Sequence, residues 1–105
     1  MTTVYVSGPM TGIPDHNFPL FKRVTKQLRD SGYVVMCPTE INPLHDTSWL
    51  DCMRNDIKAL CECDMIFLLP GWENSKGATL EHDIALRLGL KISVVSSNSS
   101  WPEVI

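Results

Sequence analysis

The chain has 105 residues, 44% of them hydrophobic and 20% charged, with a net charge of -3. That length fits a single domain with a real core, spanning 1-105, and the composition excludes disorder over most of it. A pI near 5.5 without a basic stripe argues against a nucleic-acid polymer as partner.

The longest apolar run, Met65 to Leu69, is too short to cross a bilayer, and Met1-Thr-Thr-Val does not form a basic segment leading into an apolar one. A cytoplasmic protein with no membrane partner is expected. The four cysteines, Cys37, Cys52, Cys61 and Cys63, lie within apolar segments and read as free thiols. Cys61-x-Cys63 has no second Cys or His pair beside it, so no metal site is expected.

In chain order, Thr3 to Ser7 (TVYVS) is β-branched and aromatic and runs into Gly8-Pro9, which predicts a buried strand ending in a turn. Phe18, Phe21, Val24 and Leu28 fall three and four apart, with Pro19 suited to a first helical turn and Gly32 to a stop, which predicts a helix. Tyr33 to Met36 is a second strand, followed by a loop over Pro38 to Asp46 that contains the turn dipeptide Asn42-Pro43. A second helix starts at an N-cap on Thr47 or Ser48 and runs to about Cys61. Its stripe is Trp49, Met53 and Leu60, with Leu50 and Ile57 beside it.

Met65 to Leu69 (MIFLL) is uninterrupted hydrophobe, the pattern of a central strand covered on both faces. Pro70 to Ser75 is a loop, Lys76 to Leu88 a third helix stopped by Gly89, and Lys91 to Val95 a last strand. Strands alternating with helices imply a parallel sheet in a small three-layer α/β fold. In such folds ligands bind beyond the carboxyl ends of the strands, which singles out three loops: Ser7 to Gly12, Pro38 to Asp46, and Pro70 to Gly77.

Neither G-x-G-x-x-G nor G-x-x-x-x-G-K-[ST] occurs, so nicotinamide cofactors and P-loop chemistry lose their support and no cofactor is expected. The first loop, with Ser7, Gly8, Met10, Thr11 and Gly12, is either a tight turn or a cradle for a phosphate or sugar. Two acids look misplaced. Asp56 shares the apolar stripe of its helix with Met53 and Leu60, and Glu81 shares one with Ile84, Ala85 and Leu88. Each either reaches solvent at the rim of its stripe or lines a cleft, because a lone buried carboxylate is costly. Two carboxylates converging on one substrate are the equipment for cleaving a glycosidic bond. Ser75 suits an N-cap and, compatibly, a phosphate contact at a helix N-terminus. Tyr5 reads as a core aromatic whose hydroxyl needs a partner. His16, His45 and His82 carry no catalytic assignment.

Val4-Tyr-Val-Ser-Gly8, Asp56-Ile-Lys-Ala-Leu-Cys-Glu-Cys-Asp64 and Ser75-Lys-Gly-Ala-Thr-Leu-Glu81 together resemble the nucleoside 2-deoxyribosyltransferase superfamily, which includes 2'-deoxynucleoside 5'-monophosphate N-glycosidases. Gly-Pro-Met-Thr-Gly and Leu-Pro-Gly-Trp-Glu-Asn-Ser look most like its compact bacterial and phage relatives. The resemblance implies a flavodoxin/Rossmann-like sheet of four to five strands in the order 2-1-3-4. It implies Glu81 as the nucleophile on the anomeric carbon, Tyr5 as the phenol bonded to it, and Asp56 as the acid that protonates the departing base. Asp64 would order the start of its strand. Serine rather than aspartate at position 75 implies a 5'-monophosphate substrate, with Ser7, Gly8, Met10, Thr11, Gly12, Ser75 and Gly77 on the substrate and phosphate side.

Two departures stand out: no arginine follows Gly8, and His82-Asp83 stands after Glu81 where Leu-Gly is usual in the family. The expected function is thus an N-glycosidase or deoxyribosyltransferase acting on a nucleotide or nucleoside, with a non-catalytic nucleotide-binding protein as the alternative. A homodimer or higher homo-oligomer is also expected, from the large apolar residues Trp49, Trp72, Trp101, Val104 and Ile105 and from the shared sites of the family.

Overall fold

The computed structural model describes residues 2–42 and 48–95. Four parallel strands, β1 (Thr3–Ser7), β2 (Val34–Met36), β3 (Met65–Leu68) and β4 (Lys91–Val94), form one sheet in the order β2-β1-β3-β4. Val4 to Ser7 of β1 pair with Met65 to Leu68 of β3, and Thr3 to Tyr5 pair with Val34 to Met36 of β2. This is the order 2-1-3-4 expected above. Every residue of β3 is buried, as its unbroken hydrophobicity requires of a strand covered on both faces.

Helix α1 (Phe18–Asp30) covers one face of the sheet, burying Phe21, Val24 and Leu28 against Val4, Val6, Val35 and Phe67. The other face, carrying Tyr5, Ile66 and Leu68, packs with Leu60 of α3 (Trp49–Cys61) and Ala85 of α4 (Lys76–Arg87). Ser48 and Ser75 cap these two helices, accepting the N–H groups of Asp51 and Ala78, each at 3.1 Å. Each bond satisfies one of the donors that a helix start leaves unpaired. Asp64 ties down the start of β3, its Oδ2 accepting the N–H of Thr3 at 3.0 Å.

The boundaries differ from the sequence expectations in a few places. The segment after β2 is not all loop: Pro38–Ile41 forms a short helix, α2, with Pro38 in its first turn. Arg29 of α1 holds it there, donating to both oxygens of Glu40 at 2.6 and 2.7 Å and to the Val35 carbonyl at 3.0 Å. The Pro70 to Ser75 loop likewise contains a 3-10 turn over Trp72–Asn74. The strands begin or end one residue inside their expected limits at Tyr33, Leu69 and Val95, and α4 ends at Arg87 rather than Leu88. Leu50, expected beside the buried stripe of α3, is 60% exposed, whereas Trp72, expected on the surface, is half-buried against the α4 side of the core. The alternative cap at Thr47, residues 43–46 of the second loop with His45, and the tail with Trp101, Val104 and Ile105 lie outside the described residues.

Candidate active site

The β1 crossover leads to β2 on one side, and the β3 crossover leads to β4 on the other. The carboxyl ends of β1 and β3 therefore flank a topological switch point, where open α/β sheets leave a crevice. A cleft of about 730 Å³ opens there, lined by the loop after β1, the end of α2, the first half of α3 and the start of α4. Gly8 is required at its base: a Cβ at that position would lie 2.7 Å from Cβ of Leu69, so only glycine lets β1 leave the sheet against the end of β3. One lip is a tight turn in which Asp15, His16 and Asn17 all have φ between 53° and 62°. These residue types tolerate that left-handed region better than most, and Asn17 donates to the Pro9 carbonyl at 3.0 Å.

At the floor of the cleft, α4 carries Glu81 onto the side of the sheet that Tyr5 and Ser7 share. Two residues apart on one strand, those side chains point the same way. Tyr5 donates to Oε2 of Glu81 at 2.8 Å and Ser7 donates to Oε1 at 2.6 Å, so both carboxylate oxygens are held by buried hydroxyls. Glu81 is only 4% exposed. Burial raises its pKa to about 7; the hydrogen bonds from Ser7 and Tyr5 oppose this, and the negative charge of Asp56 adds to it. The Tyr5 hydroxyl is pushed well above its ordinary range, first by burial and then by the charges of Glu81 and Asp56, so it remains a proton donor.

Asp56, from the middle of α3, faces the same cleft and is 7% exposed. Burial raises its pKa to about 6 against the hydrogen bond from Asn42 and the influence of the neighbouring Tyr5 hydroxyl. Asn42, just past α2, donates from Nδ2 to Asp56 Oδ1 at 2.7 Å. Two carboxyl groups near one another, both with raised proton affinity, hold about one proton between them close to neutrality. Such a pair can attack with one member and donate a proton with the other.

The remaining sequence candidates divide. Gly8, Met10, Thr11, Ser75 and Gly77 line the cleft, while Gly12 stands in a turn at φ 82° and does not. Ser7 departs from its expected substrate contact: it is fully buried and its hydroxyl is committed to Glu81. The reason is parity along the strand, since Ser7 shares the face of Tyr5 and turns away from the loop that follows it. Gly77 allows α3 and α4 to approach, as a Cβ there would come within 3.1 Å of the Met53 sulfur.

The cleft also gathers residues the sequence did not flag. Lys76 lines it from the first turn of α4, its Nζ 4.4 Å from the centre of the Trp49 ring. Asn42 and His16 line it too. Lys76 was legible in principle, as a cation beside the serine cap of a helix facing the strand ends. Asn42 lies in the second of the three loops singled out above, but read there as half of a turn dipeptide, and nothing marked its side chain as a partner for Asp56. Among the described residues, no group of three or more His, Cys, Asp and Glu side chains is placed to hold a metal ion, and no helix is long and apolar enough to cross a membrane.

A family model described as "Domain of unknown function (DUF4406)" matches residues 2–94. No curated protein sequence matches the chain significantly. Among solved structures, the fold is similar to a 2-deoxyribosyltransferase from Leishmania mexicana, with TM-score 0.74 and 22% identity over 94% of this chain and 67% of that one. It is also similar to the 2-deoxyribosyltransferase of Bacillus psychrosaccharolyticus, with TM-score 0.73 and 19% identity over 93% and 74%. The CMP N-glycosidase BcmB of Clostridium botulinum superposes with TM-score 0.65 and 20% identity over 94% and 75%. The α/β fold implied by the sequence resemblance is thus the fold of these three enzymes.

Proposed function

The chain belongs to the DUF4406 family, and from that premise we propose that it is an enzyme that cleaves the bond between base and sugar in a nucleotide or nucleoside. The observation that carries this reading is the pair of buried carboxyl groups, Glu81 and Asp56, on one cleft at the switch point, with both oxygens of Glu81 held by Tyr5 and Ser7. The likeness in fold to two deoxyribosyltransferases and a CMP N-glycosidase supports it.

In the proposed reaction Glu81 attacks the anomeric carbon and forms an ester to it. The electron pair of the carbon–nitrogen bond leaves with the base, which takes up a proton from Asp56. Water, or a second base, then gives up a proton to the Asp56 carboxylate and displaces Glu81 from the same carbon, so that Asp56 is restored and configuration is retained overall. Tyr5 and Ser7 hold the carboxylate in the attacking orientation. No cofactor or metal ion enters the scheme. The decisive assay incubates the protein with a panel of deoxynucleosides, nucleosides and their 5'-monophosphates and measures free base. Binding across the panel without release of base would favour a nucleotide-binding protein instead.

A 5'-monophosphate is the favoured substrate. Ser75 uses an oxygen lone pair to cap α4, which leaves its own proton free to donate, and the helix N-terminus favours an anion. Lys76 beside it supplies the positive charge that the absent arginine would have given. Wild-type protein is expected to prefer the monophosphate over its nucleoside, and Ser75→Asp to erase or reverse that preference by at least about tenfold in kcat/KM, because like charges repel in a partly enclosed site. A wild-type preference for the free nucleoside would overturn this assignment.

We further propose that the chain assembles into a homodimer or larger homo-oligomer. Trp49 and Leu50 on α3, Leu80 and Leu86 on α4, Leu88 just past its end, and Val94 on the edge strand leave large apolar groups between 39% and 60% exposed. Light scattering at micromolar concentration is expected to give at least twice the 11.8 kDa chain mass; a monomer that still turns over would refute the assembly.

A further inference from the structure

We propose that Asn42 and Asn55 form a two-step hydrogen-bond relay that positions Asp56 and sets its proton affinity. The proposal rests on Asp56 being the proton donor of the reaction above, and its test reads Asp56 directly. Asn55, exposed on α3, donates from Nδ2 to Oδ1 of Asn42 at 3.1 Å. Asn42 in turn donates from Nδ2 to Oδ1 of Asp56 at 2.7 Å.

A carboxamide can be turned either way in an isolated pair, presenting N–H or C=O to its neighbour. Here Asp56 makes the choice: an ionised carboxylate only accepts, so Asn42 aims its nitrogen at it and turns its oxygen outward, where Asn55 Nδ2 anchors it. The bond favours ionised Asp56, because a fixed donor stabilises a carboxylate more than a carboxylic acid. It therefore works against the other surroundings. Glu81 from α4 bears like charge, and burial disfavours ionisation, while the Tyr5 hydroxyl from β1 helps Asn42. Cys52, on the same helix one turn earlier, is held toward the neutral thiol by burial and by the charges of Asp56 and Asp51.

The consequence for chemistry lies in the moment of proton transfer. When Asp56 gives its proton to the departing base, negative charge appears on a carboxylate whose Oδ1 already has a donor in place. Burial keeps the acid weak enough to be partly loaded near neutrality, and the bond from Asn42 makes it strong enough to let go. Asn42 is a positioning residue for that step, and Asn55 acts only through Asn42.

The test is a titration of the Asp56 carboxyl carbon by NMR in the Glu81→Gln background, which removes the neighbouring carboxylate and needs no turnover. Asn42→Ala is expected to raise the Asp56 midpoint by about one pH unit, a tenfold change in proton affinity. Asn55→Ala, a surface change that leaves Asn42 in place without its anchor, is expected to raise it by a smaller amount. The double variant is expected to match Asn42→Ala alone, since two links of one chain do not add. An unmoved midpoint in Asn42→Ala, or full additivity in the double variant, would overturn the relay. If the midpoints move as expected and no nucleotide or nucleoside is cleaved, the relay stands and the proposed reaction falls.

Discussion

Replacing Glu81 by alanine is expected to lower release of base by about four orders of magnitude or more, because no neighbouring group can supply the covalent step. Glu81→Gln should be nearly as inactive but still bind substrate, since glutamine preserves the shape and can accept a hydrogen bond from Tyr5 or Ser7. Stability should move the opposite way. A carboxyl whose pKa rises from 4.5 when unfolded to about 7 when folded binds its proton more tightly in the native state. Its cost to folding is thus absent below pH 4.5, grows as pH rises through the interval, and is complete above about 7. A shift of that size corresponds to about 3 kcal/mol. Glu81→Gln is expected to raise the melting temperature at pH 7.5 by on the order of 10 °C, with the gain vanishing near pH 4.5. Thermal melts at the two pH values check the sign, and turnover assays check the activity. An alanine variant that kept most of its turnover would remove Glu81 from the mechanism.

The second large effect belongs to Asp56→Asn, expected to cost about 10² to 10³ in kcat/KM for a base that leaves poorly and much less for one that leaves easily. The contrast follows from the role, since a good leaving group needs little help from an acid. The pH dependence should change in a matching way. The active form of the pair carries one proton, so wild-type kcat/KM is expected to be bell-shaped with its maximum between the midpoints of about 6 and about 7. Below that range both groups are protonated and Glu81 cannot attack; above it no proton remains for the base. Between the two, the reactive arrangement with the proton on Asp56 is the less populated one, since Glu81 has the higher pKa. Asp56→Asn should keep the acid limb, which reports Glu81, and lose the alkaline limb, which reports the need for a donor. Equal losses for good and poor leaving groups, with both limbs retained, would mean that Asp56 serves only the fold.

The three long helices and the central strands β1 and β3 were legible in the sequence because each buries a continuous stripe or run, and burial imprints its period on the residues. The edge strands β2 and β4, only partly buried, showed through short apolar runs between turn signals. Asp56 and Glu81 were legible for the inverse reason: a carboxylate on a stripe of Met, Leu, Ile and Ala is costly unless something meets it, so its presence there signals a site. What met them could not be read. Tyr5 and Ser7 reach Glu81 across 76 and 74 residues of chain, and their common side of β1 follows from parity only once the sheet shows which side α4 covers. A strand buried on both faces carries no polar alternation to reveal that in advance. The short helix α2 depends on Arg29 reaching across from α1, and Asn42, which looked like half of a turn dipeptide, becomes the partner of Asp56 because α2 ends beside α3. Local sequence decides what must be hidden from water; the packing of distant elements decides which polar groups are hidden together, and the chemistry of the cleft arises from that second choice.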